Sequence, residues 1–146
     1  MSGTTILLVE DSPEDAEAAI RGLRKFRMGN PLRHCPTGDD ALDYLYGRGS
    51  YSASTAPRPG IILLDLNLPG TDGREVLAEL KSHPDLKRIP VIVMTTSSDP
   101  RDIQACYDAG ANSYVVKPVS LEGLMKAIQQ LTDYWFQIVV LPNGAD

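Results

Sequence analysis

Five short strand-like runs rich in β-branched residues and leucine punctuate the chain, at residues 6–9, 32–35, 61–64, 91–94 and 113–116. In the third, Ile61-Ile62-Leu63-Leu64, no position is polar, as in a strand covered on both faces rather than one with a wet side. Segments with apolar residues at helical spacing lie between the runs; the last has Leu124, Ile128, Leu131 and Trp135 on one stripe. This alternation predicts an α/β domain with a parallel sheet between helical layers. Helix starts are punctuated. Ser12-Pro13-Glu14-Asp15 supplies a cap, an N1 proline and an acid at N3, and Asp99-Pro100-Arg101-Asp102 repeats the scheme. Asp72-Gly73-Arg74-Glu75 has capping-box form, and Thr37 caps a helix through Tyr46. Pro84 and Gly110 mark stops. Residues 47–60, rich in Gly, Ser, Pro and Arg, exceed the usual connection of about 2–6 residues, so a mobile surface loop or a partner contact is expected there.

With 146 residues, one domain can bury a sizeable core without a metal or disulfide. A net charge of −5 and a pI near 5.0 argue against general attraction to nucleic acid or anionic lipid, leaving a protein as the expected partner. Cys35 and Cys106 lack CxxC spacing and read as buried thiols. The first apolar run is interrupted too early for a signal peptide, and no stretch approaches the roughly 20 apolar residues of a membrane span. A cytoplasmic protein without a membrane association is expected.

Chemistry collects where the strands end. Glu10-Asp11 follows the first run, Asp65 the third and Lys117-Pro118 the fifth. In an open parallel sheet the carboxyl ends of neighbouring strands form the ligand crevice. Alone, Glu10-Asp11 reads equally as acids favouring a helix N-terminus. Thr95 reads as a strand residue, Lys117-Pro118 as a surface turn and Tyr114 as a core aromatic. Brought together, hard oxygen donors without His or Cys suit Mg²⁺ or Mn²⁺, with the Asn67 carbonyl as a further donor. A metal-bound aspartate is a plausible nucleophile toward phosphorus, Lys117 a point charge for phosphoryl oxygens, and Thr95 or Thr96 a hydroxyl for the same group. Arg74 and Arg101-Asp102 border this edge, either as kinase contacts or as solvated surface. His34 and His83 read as surface or core residues.

These residues, in this order and spacing, resemble the receiver domain of two-component response regulators over about residues 5–132. The signs are Glu10-Asp11, the stretch Leu64-Asp65-Leu66-Asn67-Leu68-Pro69-Gly70-Thr71-Asp72-Gly73, Thr95 five residues after Pro90, and Lys117-Pro118. The resemblance implies a flavodoxin-like, doubly wound five-stranded parallel sheet of order 2-1-3-4-5 with five helices. It implies Asp65 as phospho-acceptor, with Mg²⁺ held by Glu10, Asp11, Asp65 and the Asn67 carbonyl. Lys117 contacts the phosphoryl group, Thr95 is the switch hydroxyl, Tyr114 is the aromatic that follows it, and the Lys117-Pro118 bond is cis. The partner implied is a sensor histidine kinase, and the product of the reaction is a signal rather than a released metabolite, so the chain is not expected to be an enzyme in the usual sense. Thr96 stands where receivers commonly carry Ala or Gly, and slow autodephosphorylation is expected.

Two alternatives remain open. One is a phosphorelay intermediate that passes phosphate to a histidine phosphotransfer protein. The other is a metal-dependent phosphohydrolase, disfavoured because such enzymes place a second acid two residues after the nucleophile, where this chain has Asn67. No G-x-G-x-x-G follows the first strand, which argues against a nucleotide-binding module.

The division expected is a receiver domain over 1–133 and an apolar extension over 134–146. Tyr134, Trp135, Phe136, Ile138 and Val140 crowd a chain end that is normally polar, so the extension either folds back or packs on a second subunit. The second is adopted, with these residues as a homodimer interface. The DLNLPGTDGREVLAELK stretch, HPDLKRIPVIVMTTS and the apolar extension are similar to the stand-alone regulators of bacterial and cyanobacterial phytochromes, which implies a light-sensing kinase, such as a bacteriophytochrome, as partner.

Overall fold

The structure, a computed structural model, describes residues 4–26, 31–52, 54–135 and 140–142. Strands β1 (Ile6–Val9), β2 (Leu32–Cys35), β3 (Ile61–Leu64), β4 (Val91–Thr95) and β5 (Ser113–Val116) form one parallel sheet in the order β2-β1-β3-β4-β5. Helices α1 (Pro13–Phe26), α2 (Gly38–Tyr46), α3 (Gly73–Ser82), α4 (Pro100–Asp108) and α5 (Leu121–Asp133) connect or follow them. A short 3-10 turn, Leu86–Arg88, precedes β4. The flavodoxin-like order expected from the sequence is the order observed.

The continuous apolar runs are explained by two cores. Side chains alternate across a strand, so Leu7, Val9, Ile62, Leu64, Val91 and Val93 pack with Val76, Leu77, Leu80 and Cys106 on one face. Ile6, Leu8, Ile61, Leu63, Ile92 and Met94 pack with Ala16, Ala19, Leu23, Leu124 and Ile128 on the other. On that second face α1 and α5 touch closely: a Cβ at Gly22 would lie 3.0 Å from Ile128 Cγ2. The predicted caps form. Asp15 N–H donates to Ser12 Oγ at 3.2 Å, Asp40 N–H to Thr37 Oγ1 at 3.0 Å, and Asp72 N–H to Glu75 Oε1 at 3.0 Å.

The segment after α2 is tied to that helix: Tyr51 Oη donates to Asp40 Oδ1 at 2.9 Å, Tyr44 Oη to the Pro57 carbonyl at 2.8 Å, and the two rings meet edge to face at 5.1 Å. Tyr51 is the aromatic anchor of a stretch otherwise rich in Gly, Ser and Pro. One expectation needs correction here. No cis peptide bond occurs among the described residues, so Lys117-Pro118 is trans; proline tolerates either form within about 1 kcal/mol.

The end of α5 also departs from expectation. Trp135 is buried on its own domain, in the core formed by β1, β3, β4, α1 and α5, rather than left for a second subunit. Its spacing from Leu124, Ile128 and Leu131 continues the buried stripe, which is why the helix carries it inward. Its indole Nε1 has no hydrogen-bond partner among the described residues. Tyr134 stands edge-on to it and is exposed, as is Val140. Phe136 and Ile138 lie outside the described residues. Removing a buried aromatic costs transfer free energy and leaves a cavity, so Trp135→Ala should lower unfolding free energy by about 3–5 kcal/mol. Urea denaturation checks this; a change below about 1 kcal/mol would mean that the indole is not core.

Candidate functional site

Strand register assembles the site. β1 and β3 pair with Val9 beside Leu64, so the next residues, Glu10 and Asp65, emerge level with each other. Backbone bonds from Glu10 N–H to the Cys35 carbonyl (3.1 Å) and from Asp65 N–H to the Val9 carbonyl (3.0 Å) extend the ladders past the strands and fix that level. β4 and β5 pair Thr95 with Val116, and Lys117 N–H donates to the Thr95 carbonyl at 2.7 Å. Lys117 thereby leaves the sheet at the same edge and reaches back over it. Gly73, the first residue of α3, lies against the acceptor strand so closely that a Cβ there would stand 2.1 Å from the Asp65 carbonyl oxygen.

The Lys117 ammonium is buried among three carboxylates: Glu10 Oε1 at 2.6 Å, Asp15 Oδ2 at 2.9 Å and Asp65 Oδ2 at 3.1 Å. Burial alone would lower the lysine pKa, but hydrogen bonds to Glu10 and Asp15 and the charge of Asp65 outweigh it and raise it. Lys117 is therefore a fixed cation. Glu10 is pushed up to about 7, first by burial, which outweighs the hydrogen bond from Lys117, and with the negative Asp65 also raising it. The pocket holds more carboxylate than one ammonium offsets. Oxygens of Glu10, Asp11 and Asp65 come within 4.8 Å of one another, with Asp11 exposed and the other two buried. This all-oxygen set, open on one side, fits a hard divalent cation that keeps part of its water. Asn67 is exposed beside it, its N–H directed at Asp65 Oδ1 at 3.4 Å.

Thr95 is fully buried at the end of β4, and its Oγ1 has no hydrogen-bond partner among the described residues. A buried hydroxyl left unsatisfied costs about 1–3 kcal/mol, which marks it as a group awaiting a partner. Thr96 is exposed next to it. Tyr114 is half-buried, and its hydroxyl donates to the Ser97 carbonyl at 2.9 Å, tying β5 to the chain that carries Thr95. That chain is held again by Ser97 Oγ donating to Asp102 Oδ2 at 2.7 Å, and Asp102 receives the Arg74 fork through Nε and Nη2, both at 3.0 Å. Arg74 also bonds Asp72 through Nη1. Arg74 is thus engaged in a link between α3 and α4 rather than free.

The structure brings Glu10, Asp11, Asp65 and Lys117 into one pocket, with Thr95 and Asn67 at its border and Tyr114 behind the β4–α4 connection. The residues that the sequence reading passed over as site residues are Asp15 and Ser97; Asp102 was read at this edge, but not its pairing with Arg74 and Ser97. Asp15, in the first turn of α1, reads from the sequence as helix-start chemistry, and nothing in its spacing signals its contact with Lys117. His34 Nε2 lies 2.8 Å from the Glu10 carbonyl oxygen and braces the acidic turn. His83 Nδ1 accepts from Asp85 and Leu86 N–H, a local turn contact.

Residues 6–129 match the family model of the response regulator receiver domain. Response regulator Rcp1 of Synechocystis sp. is 45% identical over 137 residues, 94% of this chain and 92% of that one. The probable methanogenesis regulatory protein FilR2 of Methanothrix harundinacea is 36% identical, over 89% of this chain and 82% of its own. Among solved structures, Mn²⁺-bound Rcp1 superposes with a TM-score of 0.90 at 44% identity, over 95% of this chain and 99% of that one. The phosphorylated cyanobacterial phytochrome response regulator RcpA gives 0.91 at 40% identity, over 96% and 99%. Matched over its strands, helices and acidic pocket alike, the chain belongs to the response regulator receiver family.

Proposed function

We propose that this protein is a phosphorylation-switched regulator whose Asp65 accepts a phosphoryl group from a phosphohistidine of a sensor kinase. The observation that carries the reading is the meeting of Asp65 with Lys117, the Glu10–Asp11 oxygens and the unpartnered Thr95 hydroxyl at one strand edge. An Asp65 carboxylate oxygen attacks phosphorus, the histidine nitrogen–phosphorus bond breaks, and its electron pair stays on the imidazole. Lys117 faces the charge that gathers on the transferred group, and Thr95 Oγ1 donates to one of its oxygens. Glu10, Asp11, Asp65 and the Asn67 carbonyl would hold Mg²⁺ or Mn²⁺, which when bound supplies positive charge opposite the phosphoryl oxygens. Once Thr95 is drawn to the new group, Tyr114 loses its fixed neighbour at Ser97 and follows. Asn67, two residues after the acceptor, offers no acid to protonate a leaving group, which leaves the phosphohydrolase alternative without its catalytic acid.

The relatives' identities support a phytochrome-type light-sensing kinase as the phosphoryl donor. A homodimer accompanies this reading. Exposed large apolar side chains collect on α4 (Tyr107), the end of the edge strand β5 (Val116), the following loop (Val119), and both ends of α5 (Leu121, Tyr134). Exposed apolar side chains of this kind suit self-association. No helix among the described residues is long and apolar enough to cross a membrane.

Incubation with acetyl phosphate and Mg²⁺ should add one phosphoryl mass to the parent and none to Asp65→Asn; equal labelling of both by intact-mass measurement would refute Asp65 as acceptor. The raised Glu10 pKa makes metal binding pH-dependent with a definite sign. Above about 7 the group is ionised and ready to ligate; below it, a proton must leave first. Mn²⁺ affinity by calorimetry should therefore weaken toward about tenfold per pH unit below 7, and a flat profile between about pH 5.5 and 8 would discount the shift. Replacing Val119, Leu121 and Tyr134 together by Asp should halve the mass found by light scattering, whereas an unaltered dimer would place the interface elsewhere.

A further inference from the structure

Lys117 and a divalent cation compete for the same oxygens. The ammonium has three protons to donate, and its three acceptors are Glu10, Asp15 and Asp65. Two of those acceptors, Glu10 and Asp65, also belong to the cluster that gathers with Asp11. When these turn to a cation before any phosphoryl oxygen arrives, a buried ammonium would be left without a counter-charge, an arrangement that is strongly destabilising. Asp15 lies outside that cluster.

It is also firmly mounted. Asp15 is in the first turn of α1, where its N–H is held by the Ser12 hydroxyl at 3.2 Å, and the adjacent Ala16 and the later Ala19 are buried against the sheet. Its side chain is 26% exposed, so its Oδ2 reaches Lys117 at 2.9 Å from the rim of the pocket while the helix stays fixed on the core. A carboxylate on a rigid element keeps its partner oriented better than one on a moving loop.

We propose that Asp15 is a positioning residue that retains Lys117 and so frees Glu10 and Asp65 for the cation and the phosphoryl group. This rests on the reading of Asp65 as phospho-acceptor. Without the Asp15 charge, Lys117 has only Glu10 and Asp65 to grip, and an incoming cation must displace it from both. Asp15 acts through Lys117, so its influence should vanish when the lysine is gone.

The test is Mn²⁺ affinity, measured by calorimetry on the full chain at one pH, for the parent, Asp15→Asn, Asp15→Glu, Lys117→Met and the Asp15→Asn/Lys117→Met double variant. Asp15→Asn should bind Mn²⁺ about tenfold more weakly than the parent. Asp15→Glu, which keeps the charge, should recover most of that loss. In the Lys117→Met background, Asp15→Asn should change affinity by less than about twofold, because additivity fails where one residue works through another. Parent-like affinity in Asp15→Asn would overturn the proposal. So would an undiminished loss in the Lys117→Met background, since Asp15 would then attract the cation by its own charge. Acetyl phosphate labelling of the same parent sample judges the functional reading separately: an unlabelled parent sinks the acceptor assignment, while the affinity series still decides whether Asp15 retains Lys117.

Discussion

A buried ammonium cannot stand alone, and in this protein one ammonium organises an entire sheet edge. Lys117 leaves the last strand and meets carboxylates from the turn after the first strand, from the first helix and from the end of the third strand. Each of those groups would be repelled by the others without it. Stripping one partner from such a set leaves an uncompensated charge and costs about 3–5 kcal/mol, so the pocket holds its members through mutual need. The carboxylates that one ammonium does not offset, Glu10, Asp11 and Asp65 among them, then provide the attraction for a second, exchangeable cation.

The sheet supplies the precision. Parallel pairing puts Val9 beside Leu64 and Thr95 beside Val116, and the backbone bonds of Glu10, Asp65 and Lys117 carry those alignments one residue further. Glu10, Asp65 and Thr95 therefore stand at the ends of strands whose other residues are locked in two cores, and Lys117 follows the less buried edge strand β5. The β4–α4 connection is held by fewer contacts, fastened by Tyr114 at one side and by Ser97 to Asp102 at the other. Breaking either fastening is a matter of single hydrogen bonds, each worth only about 1 kcal/mol net. Rigid acceptor and loosely latched connection are thus neighbours in the same pocket.

Most of this was legible in the chain. Unbroken apolar runs such as Ile61-Ile62-Leu63-Leu64 declare a strand buried on both sides, and a charged residue directly after such a run can only sit at an edge. Asp65, Glu10, Asp11 and Lys117 could be read for that reason. Asp15 could not, because an acid at N3 already has a sufficient local explanation, and only the three-dimensional path of Lys117 reveals its second partner. Arg74 and Asp102 are far apart in sequence and each reads as a kinase contact or solvated surface, so their fork was invisible. The anchors of the long connection after α2 were hidden as well, since one tyrosine within it, Tyr51, and one on α2, Tyr44, carry the contacts that hold it. For Trp135, helical spacing pointed inward and chain-end composition pointed outward; packing decided for the core.

Gly73 sets a limit on how such a pocket can be varied. With no room for even a methyl group between the start of α3 and the carbonyl of Asp65, the helix start is docked directly on the backbone of the aspartate. The position is closed to side-chain diversification, natural or engineered, unless the whole helix backs away. Adjustment of the chemistry is consequently pushed outward, to exposed neighbours such as Asn67 and Thr96, where a side chain can be exchanged while the seat of the aspartate stays where it is.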